Sequence, residues 1–222
     1  RSMYTEYQPS HLLVPYIDSY WEFKGNPDYG MRIHILPDGC TDFIFTLGEV
    51  ANAVEEGSLI MQPYRSYFVG PMTKYSELVT YTESIHMFGV RFLPCGLSCF
   101  TNLPLHEFVN SRVSTNEMKA VFDDTFIERL CEQKHIADRI RVVEEYLLAY
   151  LARHYQPADS HVAMAVNMIN HSKGKRSVRS LMDDVCLCQR HFERKFKHYT
   201  GFTPKEYLSL IHISEPTRLA LI

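Results

Sequence analysis

The chain has 222 residues, of which 45% are hydrophobic, and a net charge of −3 at pH 7. This length accommodates one core of about 150 residues and a second, smaller domain. With no secretory signal and no run of roughly 18 apolar residues, the sequence argues against a membrane protein, and we expect a cytoplasmic protein whose six cysteines are mostly free thiols.

The first part of the chain is predicted to be β-rich. Six segments alternate or run apolar and contain β-branched and aromatic residues, which is typical of short strands. They are Tyr16–Phe23, Arg32–Leu36, Thr41–Leu47, Ser66–Val69, Glu77–Tyr81 and Ile85–Phe92. Turn-forming residues such as Gly70-Pro71 separate the segments. Short strands at this spacing favour a barrel or a sandwich.

After Pro94 the pattern becomes helical, with longer helices predicted at Asn116–Glu132 and Ala137–His154. The second of these carries apolar residues at three- and four-residue steps, namely Ile140, Val143, Leu147, Tyr150 and Leu151. That stripe could pair with a second subunit in a homodimer, and packing on the chain's own β-rich part explains it equally well. Residues 156–160 then break the pattern. They are the predicted linker between a domain at 1–155 and a helical domain at 161–210.

Three short helices are predicted in the second domain. Val178, Leu181 and Val185 recur at three- and four-residue steps behind Ser177, which suits an N-cap. A second helix, Gln189 to Tyr199, places Phe192 and Phe196 on one buried side and a mostly basic set on the other. Gly201 is suited to end this helix, and Thr203 with Glu206 forms a capping box that begins a third helix at Pro204.

Two short helices joined by a tight turn form the helix-turn-helix, whose second helix lies in the major groove of DNA. The side chains suited to base edges are Gln189, Arg190, Glu193 and Arg194. Those suited to phosphates are Lys195, Lys197 and His198, and Ser177 at the start of the first helix completes the candidate set. The alternative is a small helical domain with an ordinary solvated charged face.

The charge distribution favours nucleic acid as the partner. Residues 160–210 contain nine Lys or Arg and four Asp or Glu, a net charge of +5, whereas residues 1–159 contain 13 and 21, a net charge of −8. A basic C-terminal part on an acidic body is typical of a DNA-binding module joined to another domain.

The segment RSVRSLMDDVCLCQRHFERKFKHYTGFTPKEYL resembles the DNA-binding domain of the AraC-type transcription regulators, most clearly in RHFERKFK, Thr200-Gly201 and FTPKEYL. The resemblance runs from Ala163 to Leu208 and implies two helix-turn-helix units joined by a long helix, of which only the first unit is visible. Met182, Cys186 and Cys188 depart from the usual pattern. Because the register is lost after Leu208, we expect a truncated domain and a non-native tail at 211–222.

The segments ILPDGCTDFIF, FVGPMTKY and FGVRFLPCGLSCF look like the cupin-like domain that precedes many AraC-type DNA-binding domains. The resemblance implies an α+β protein: a cupin-like barrel with trailing helices, followed by a small all-α helix-turn-helix domain. It also implies a transcription regulator that binds double-stranded DNA and requires no cofactor. Its N-terminal domain would sense an unknown small-molecule effector, dimerise or do both, so that control is either ligand-modulated or constitutive.

The resemblance to cupins raises an alternative hypothesis. The protein could be a metal-dependent enzyme or a small-molecule-binding protein, with helices at the C-terminal end that only mediate contacts with partner proteins. His34 and His86 lie in predicted strands, with carboxylates nearby at Asp38, Asp42, Glu77 and Glu83. No closely spaced pair of histidines stands on one strand with a downstream glutamate, so we expect neither a metal site nor an enzyme. Cys95 and Cys99, four residues apart, fit either a redox pair or inert buried thiols.

Overall fold

The computed structural model describes residues 3–28, 30–35, 37–48, 52–53, 61–74, 76–80, 84–118, 121–123, 125–185 and 188–214. These residues form an α+β protein, as predicted, with a β-rich N-terminal part followed by helices. Its strands are β1 (Tyr4–Tyr7), β2 (Ile17–Gly25), β3 (Met31–Ile35), β4 (Thr41–Thr46), β5 (Asn52–Ala53), β6 (Ser66–Val69), β7 (Ser76–Thr80), β8 (Ile85–Phe92) and β9 (Arg112–Ser114).

The strands form two antiparallel sheets. The larger has six strands in the order β1-β2-β8-β4-β6-β9, and the smaller has three in the order β3-β7-β5. All six predicted strands are present, and their observed ends lie within two residues of the predicted ends. The short strands β1, β5 and β9 were not predicted, because two to four residues leave little alternation to detect.

The larger sheet is buried on both faces. Because successive side chains of a strand point to opposite sides, neighbouring residues of one strand enter different cores. Phe43 and Phe45 belong to one core cluster, whereas Ile44 between them belongs to another. The second cluster also contains Trp21 and is rich in methionine: Met61, Met72 and Met87 are buried in it, and Met3 and Met31 pack against it. Burial on both faces explains why Phe43, Ile44 and Phe45 are apolar in succession, without a polar residue between them.

The predicted helix at Asn116–Glu132 is wrong. In its place the chain has a 3₁₀ helix, Thr115–Glu117, and a short helix α1, Phe126–Cys131. Asp123 Oδ1 accepts hydrogen bonds from Thr125 N at 3.1 Å and from its hydroxyl at 2.8 Å, a local turn that competes with a continuous helix. Val121 and Phe122 are buried in the first core cluster.

Helix α2, Ile136–His154, confirms the other long helix and lies over the larger sheet. Val143 and Leu147 of its apolar stripe are fully buried in the first core, and the other stripe residues pack against the same cluster. The stripe therefore covers the chain's own sheet. None of the described helices is long and apolar enough to span a bilayer.

The described residues of the C-terminal part form four helices, α3 (Ser160–His171), α4 (Val178–Val185), α5 (Gln189–Thr200) and α6 (Pro204–Ser214). Their apolar sides form a third core cluster, with Val162, Ala165, Ile169, Leu181, Phe192, Phe196 and Tyr207 fully buried. Helix α6 continues past the point where the sequence register is lost, and Ile211 is buried in the same cluster. Residues 215–222 of the expected tail lie outside the described residues.

Candidate nucleic-acid interface

The local signals of the C-terminal helices are confirmed. The Ser180 amide donates to Ser177 Oγ at 3.0 Å, so Ser177 caps α4. Thr203 and Glu206 exchange the two hydrogen bonds of a capping box, at 2.9 and 3.2 Å, and Gly201 ends α5 with a left-handed φ of 90°. Cys188 stands at the N-cap of α5 without a side-chain cap bond. Residues 186–187, including the noted Cys186, lie outside the described residues.

Helix α5 is fixed by one side and presents another to solvent. Phe192 and Phe196 are fully buried. Arg190, Arg194 and Lys197 are exposed, and their spacing of four and then three residues places them on one face of the helix. These three residues, called the basic stripe below, form a row of cations opposite the buried phenylalanines.

The other predicted base-contacting residues lie beside the basic stripe. Gln189 is exposed at the first turn, and its Nε2 donates to Oε1 of the half-buried Glu193 at 3.1 Å. Both remain at the edge of the exposed face. Arg179, exposed on α4, is a cation that sequence reasoning passed over; its place on the predicted first helix of the motif is the signal that could have found it.

Lys195 faces the body of the protein. Its Nζ donates to Asp159 Oδ2 at 2.9 Å, while the other oxygen of that carboxylate accepts the amides of His161 and Val162 and caps α3. Burial acts to raise the pKa of Asp159, but the hydrogen bonds and charge of Lys195 and the two amides outweigh it, and the net shift is downward. The structure thus places Lys195 in a partly buried ion pair between α5 and the start of α3.

His198 also faces the body. The centroid of its ring lies 6.4 Å from that of His106, which belongs to the 3₁₀ helix Leu105–Phe108 of the N-terminal part. Burial, followed by the neighbouring His106, lowers the pKa of His198, with Glu107 acting the other way. A side chain added at the adjacent Gly201 would lie 2.9 Å from Pro71, so the end of α5 fits closely against this surface.

The described histidine and carboxylate residues of the metal-enzyme hypothesis do not come together at one site. His86 Nε2 lies 2.9 Å from Glu22 Oε2, and Asp42 accepts a hydrogen bond from the Trp21 indole at 2.8 Å. Asp38 Oδ1 accepts the amide of Cys40 at 3.0 Å. Glu83 and the side chains of His34 and Glu77 lie outside the described residues. Among the residues that are described, no group of three or more His, Cys, Asp or Glu is arranged to hold a metal ion.

Cys95 and Cys99 are both buried and both free thiols. Burial is the first cause that raises the pKa of each, which keeps the thiols protonated and weakly nucleophilic. Cys95 packs with Val162 and Phe192 in the third core, which favours the reading as an inert packing residue.

Comparison with known proteins gives a fold and no established activity. Residues 5–114 match a family model described as a domain of unknown function, DUF6597. No curated protein matches the chain.

Two solved structures resemble the chain along most of its length. One is ToxT from Vibrio cholerae, with a TM-score of 0.50 and 8% identity over 89% of this chain and 82% of ToxT. The other is the apo form of a ToxT variant from Vibrio cholerae, with a TM-score of 0.50 and 10% identity over 88% of this chain and 80% of the variant. At such identities the likeness concerns the fold alone, and the chain has a ToxT-like fold over 89% of its length.

Proposed function

We propose that the protein is a sequence-specific DNA-binding transcription regulator of the AraC type, with α5 as its recognition helix. The observation that carries the proposal is the basic stripe: three exposed cations on one face of a short helix whose opposite face is locked in a core. The likeness of the fold to ToxT, an AraC-family regulator, supports it. So does the net charge of +5 on residues 160–210.

The exposed residues take different roles in the major groove. Arg190 and Arg194 suit bidentate contacts with guanine, and Gln189 suits adenine. Lys197 and Arg179 suit phosphates, which position a protein without reading sequence. Lys195 and His198, placed against the body by Asp159 and His106, hold α5 in position instead.

The β-rich part serves as a cupin-like domain that binds an effector or a second subunit. Because the apolar stripe of α2 covers its own sheet, a homodimer would use another surface. The proposal requires no catalytic step, metal or cofactor.

Selection from a pool of randomised duplex DNA tests the assignment. The wild-type chain should enrich a defined motif. Arg194→Ala should lose about 1–3 kcal/mol of preference at one base pair, since it removes a bidentate contact. Lys197→Ala should weaken all sequences alike, because it removes only a phosphate contact.

Lys134→Ala is the matched control, since Lys134 is an exposed cation on the N-terminal part, and it should change neither affinity nor preference. If folded Arg194→Ala and Lys197→Ala proteins bind DNA as the wild type does, α5 is not the recognition helix.

A further inference from the structure

A cavity of about 440 Å³ lies where the N-terminal part, the linker and α3 meet. Residues 14–16 and 93–96 form one wall together with Cys99. Residues 155, 157 and 158 of the linker region form a second, and residues 163, 166, 167 and 170 of α3 form the third. The volume falls within the range of about 300–1,000 Å³ that small-molecule sites occupy.

The walls of this cavity are mostly apolar, and no described Asp, Glu, Lys, Arg or His side chain lines it. Val14, Pro15, Leu93, Pro94, Pro157, Ala158, Ala163 and Val166 line it. Asn167 and Asn170 of α3 bring amide groups, which both donate and accept hydrogen bonds. Asn170 Oδ1 already accepts the hydroxyl of Tyr207 at 3.2 Å, so Asn170 offers a ligand its NH₂ group as a donor. An apolar enclosure with a few polar groups on one side is the usual composition of a small-molecule site.

Large apolar side chains are left in solvent around the mouth of the cavity. Val14 is 53% exposed and Tyr155 is 69% exposed, and both line it. Exposed apolar groups gathered at a concave site are typical of a surface that another molecule covers.

The wall formed by residues 93–96 is held in a fixed shape. Cys95 has a left-handed φ of 70°, a conformation uncommon for a residue with a side chain. A Cβ added at Gly96 would lie 2.2 Å from the carbonyl oxygen of Tyr16, so the two segments are in direct contact. The Leu93 amide also donates to that carbonyl, at 2.9 Å. The cavity is therefore formed by packed backbone and does not depend on one mobile side chain.

We propose that this cavity binds a neutral, largely apolar small molecule whose polar end is held by Asn167 and Asn170. A charged ligand is disfavoured, because the lining offers no opposite charge to compensate its desolvation. Since the walls come from the N-terminal part, the linker and α3, the bound molecule fixes the orientation of the C-terminal helices. This regulatory consequence rests on the proposed function, whereas the binding itself does not.

Binding can be measured with Nile red, a neutral apolar dye, in the full chain without DNA. We expect saturable fluorescence enhancement, and much weaker enhancement with the anionic dye 1-anilinonaphthalene-8-sulfonate. Val14→Asp places a charge at the mouth, and should weaken Nile red binding by at least about tenfold. Leu12→Asp is the matched control: Leu12 is 61% exposed, lies two residues away and does not line the cavity. It should bind as the wild type does.

A second pair of variants fills the cavity. Ala163→Phe should abolish binding by occupying the space, and Met164→Phe should not, because Met164 is 38% exposed on α3 and does not line the cavity. If Ala163→Phe fails to fold, the exposed position 14 still decides the matter. Equal affinities in all four variants, or no saturable binding by the wild type, would overturn the proposal.

The same preparations distinguish this proposal from the function above. Nile red binding without DNA binding leaves the cavity site standing and rejects the regulator. DNA binding without Nile red binding does the reverse.

Discussion

Trp21, the single tryptophan of the chain, lies across Gly89 on the neighbouring strand. A Cβ added at Gly89 would lie 1.9 Å from the indole ring, a distance that real contacts do not reach. The indole is further fixed because its Nε1 donates to Asp42, whose Oδ1 also lies 3.3 Å from Arg91 Nε. Because Gly89 has no side chain, the Trp21 ring can lie over it and be buried in the second core cluster.

Gly89→Ala should destabilise the fold by about 1–3 kcal/mol, the usual cost of overpacking a core. Urea unfolding followed by Trp21 fluorescence measures this directly. Gly48→Ala is the control, since among the described residues its added Cβ would meet only His86 Cβ, at an ordinary 3.5 Å, and it should shift stability by less than about 0.5 kcal/mol. Equal midpoints for the two variants would contradict the close packing at Gly89.

At this scale the sequence predicts residues whose partners are near in the chain. Ser177, Gly201 and the capping box of Thr203 and Glu206 behave as predicted, because each depends on a pattern of three or four residues. Lys195 was assigned to phosphate from its helix position alone, whereas its carboxylate partner is 36 residues away. Such a pairing depends on the tertiary fold and leaves no local signal.

Helix α2 is tied to the sheet by a buried ion pair as well as by its apolar stripe. Arg139 Nη1 donates to Glu22 Oε2 of β2 at 3.2 Å, and His86 of β8 approaches the same oxygen. The hydrogen bond from His86 is the first cause that lowers the pKa of Glu22 below its ordinary 4.5; burial opposes it, and the charges of His86, Arg139 and Lys24 assist it.

Glu22→Gln should destabilise the protein by about 3 kcal/mol at neutral pH, because it leaves Arg139 buried without its counter-charge. Since the pKa is lowered in the folded state, the stabilisation is complete above pH 4.5 and is lost as the pH falls through the folded value. The stability gap between wild type and variant should therefore close in acid. Glu145→Gln, an exposed change on helix α2, which also carries Arg139, should show no such pH dependence. If the stability difference between wild type and Glu22→Gln stays constant down to low pH, Glu22 is not the counter-charge of Arg139.

Whole elements were predicted where their periodicity was sustained. The β-branched and aromatic residues of β2, β4 and β8 and the apolar stripe of α2 gave nearly correct bounds. The helix predicted at 116–132 was wrong. Val121 and Phe122 are apolar because they are buried in the first core, and Asp123 forms a turn. Apolar spacing alone does not distinguish a helix from an irregular chain that returns to the same core.

On the scale of the whole molecule, the two parts are packed together along several contacts. Within the C-terminal part, Tyr207 of α6 is fully buried, and its hydroxyl donates to Asn170 of α3 at 3.2 Å. A Cβ added at Gly39 in the N-terminal part would lie 2.7 Å from the Tyr207 ring. Cys95 enters the third core from the same side. The β-rich part therefore packs directly against the C-terminal helices, and the side of α5 that carries His198 faces it.

None of this docking could be predicted from the sequence, because it joins residues that are far apart in the chain, such as Gly39 and Tyr207. What the sequence did predict is the charge asymmetry, and the structure gives it a geometry. Of the α5 residues assigned to DNA, Lys195 lies in an ion pair and His198 lies against the N-terminal part, while the basic stripe is exposed.

The salt dependence of DNA binding tests the central claim most directly. Fluorescence anisotropy of a labelled duplex should show an affinity that falls linearly with the logarithm of salt, with a slope of about −0.9 for each phosphate neutralised. Replacing Arg190, Arg194 and Lys197 together by alanine should flatten that slope, while Lys134→Ala should leave it unchanged. Affinity that is absent at low salt, or the same slope in the triple variant as in the wild type, would contradict DNA binding through the basic stripe.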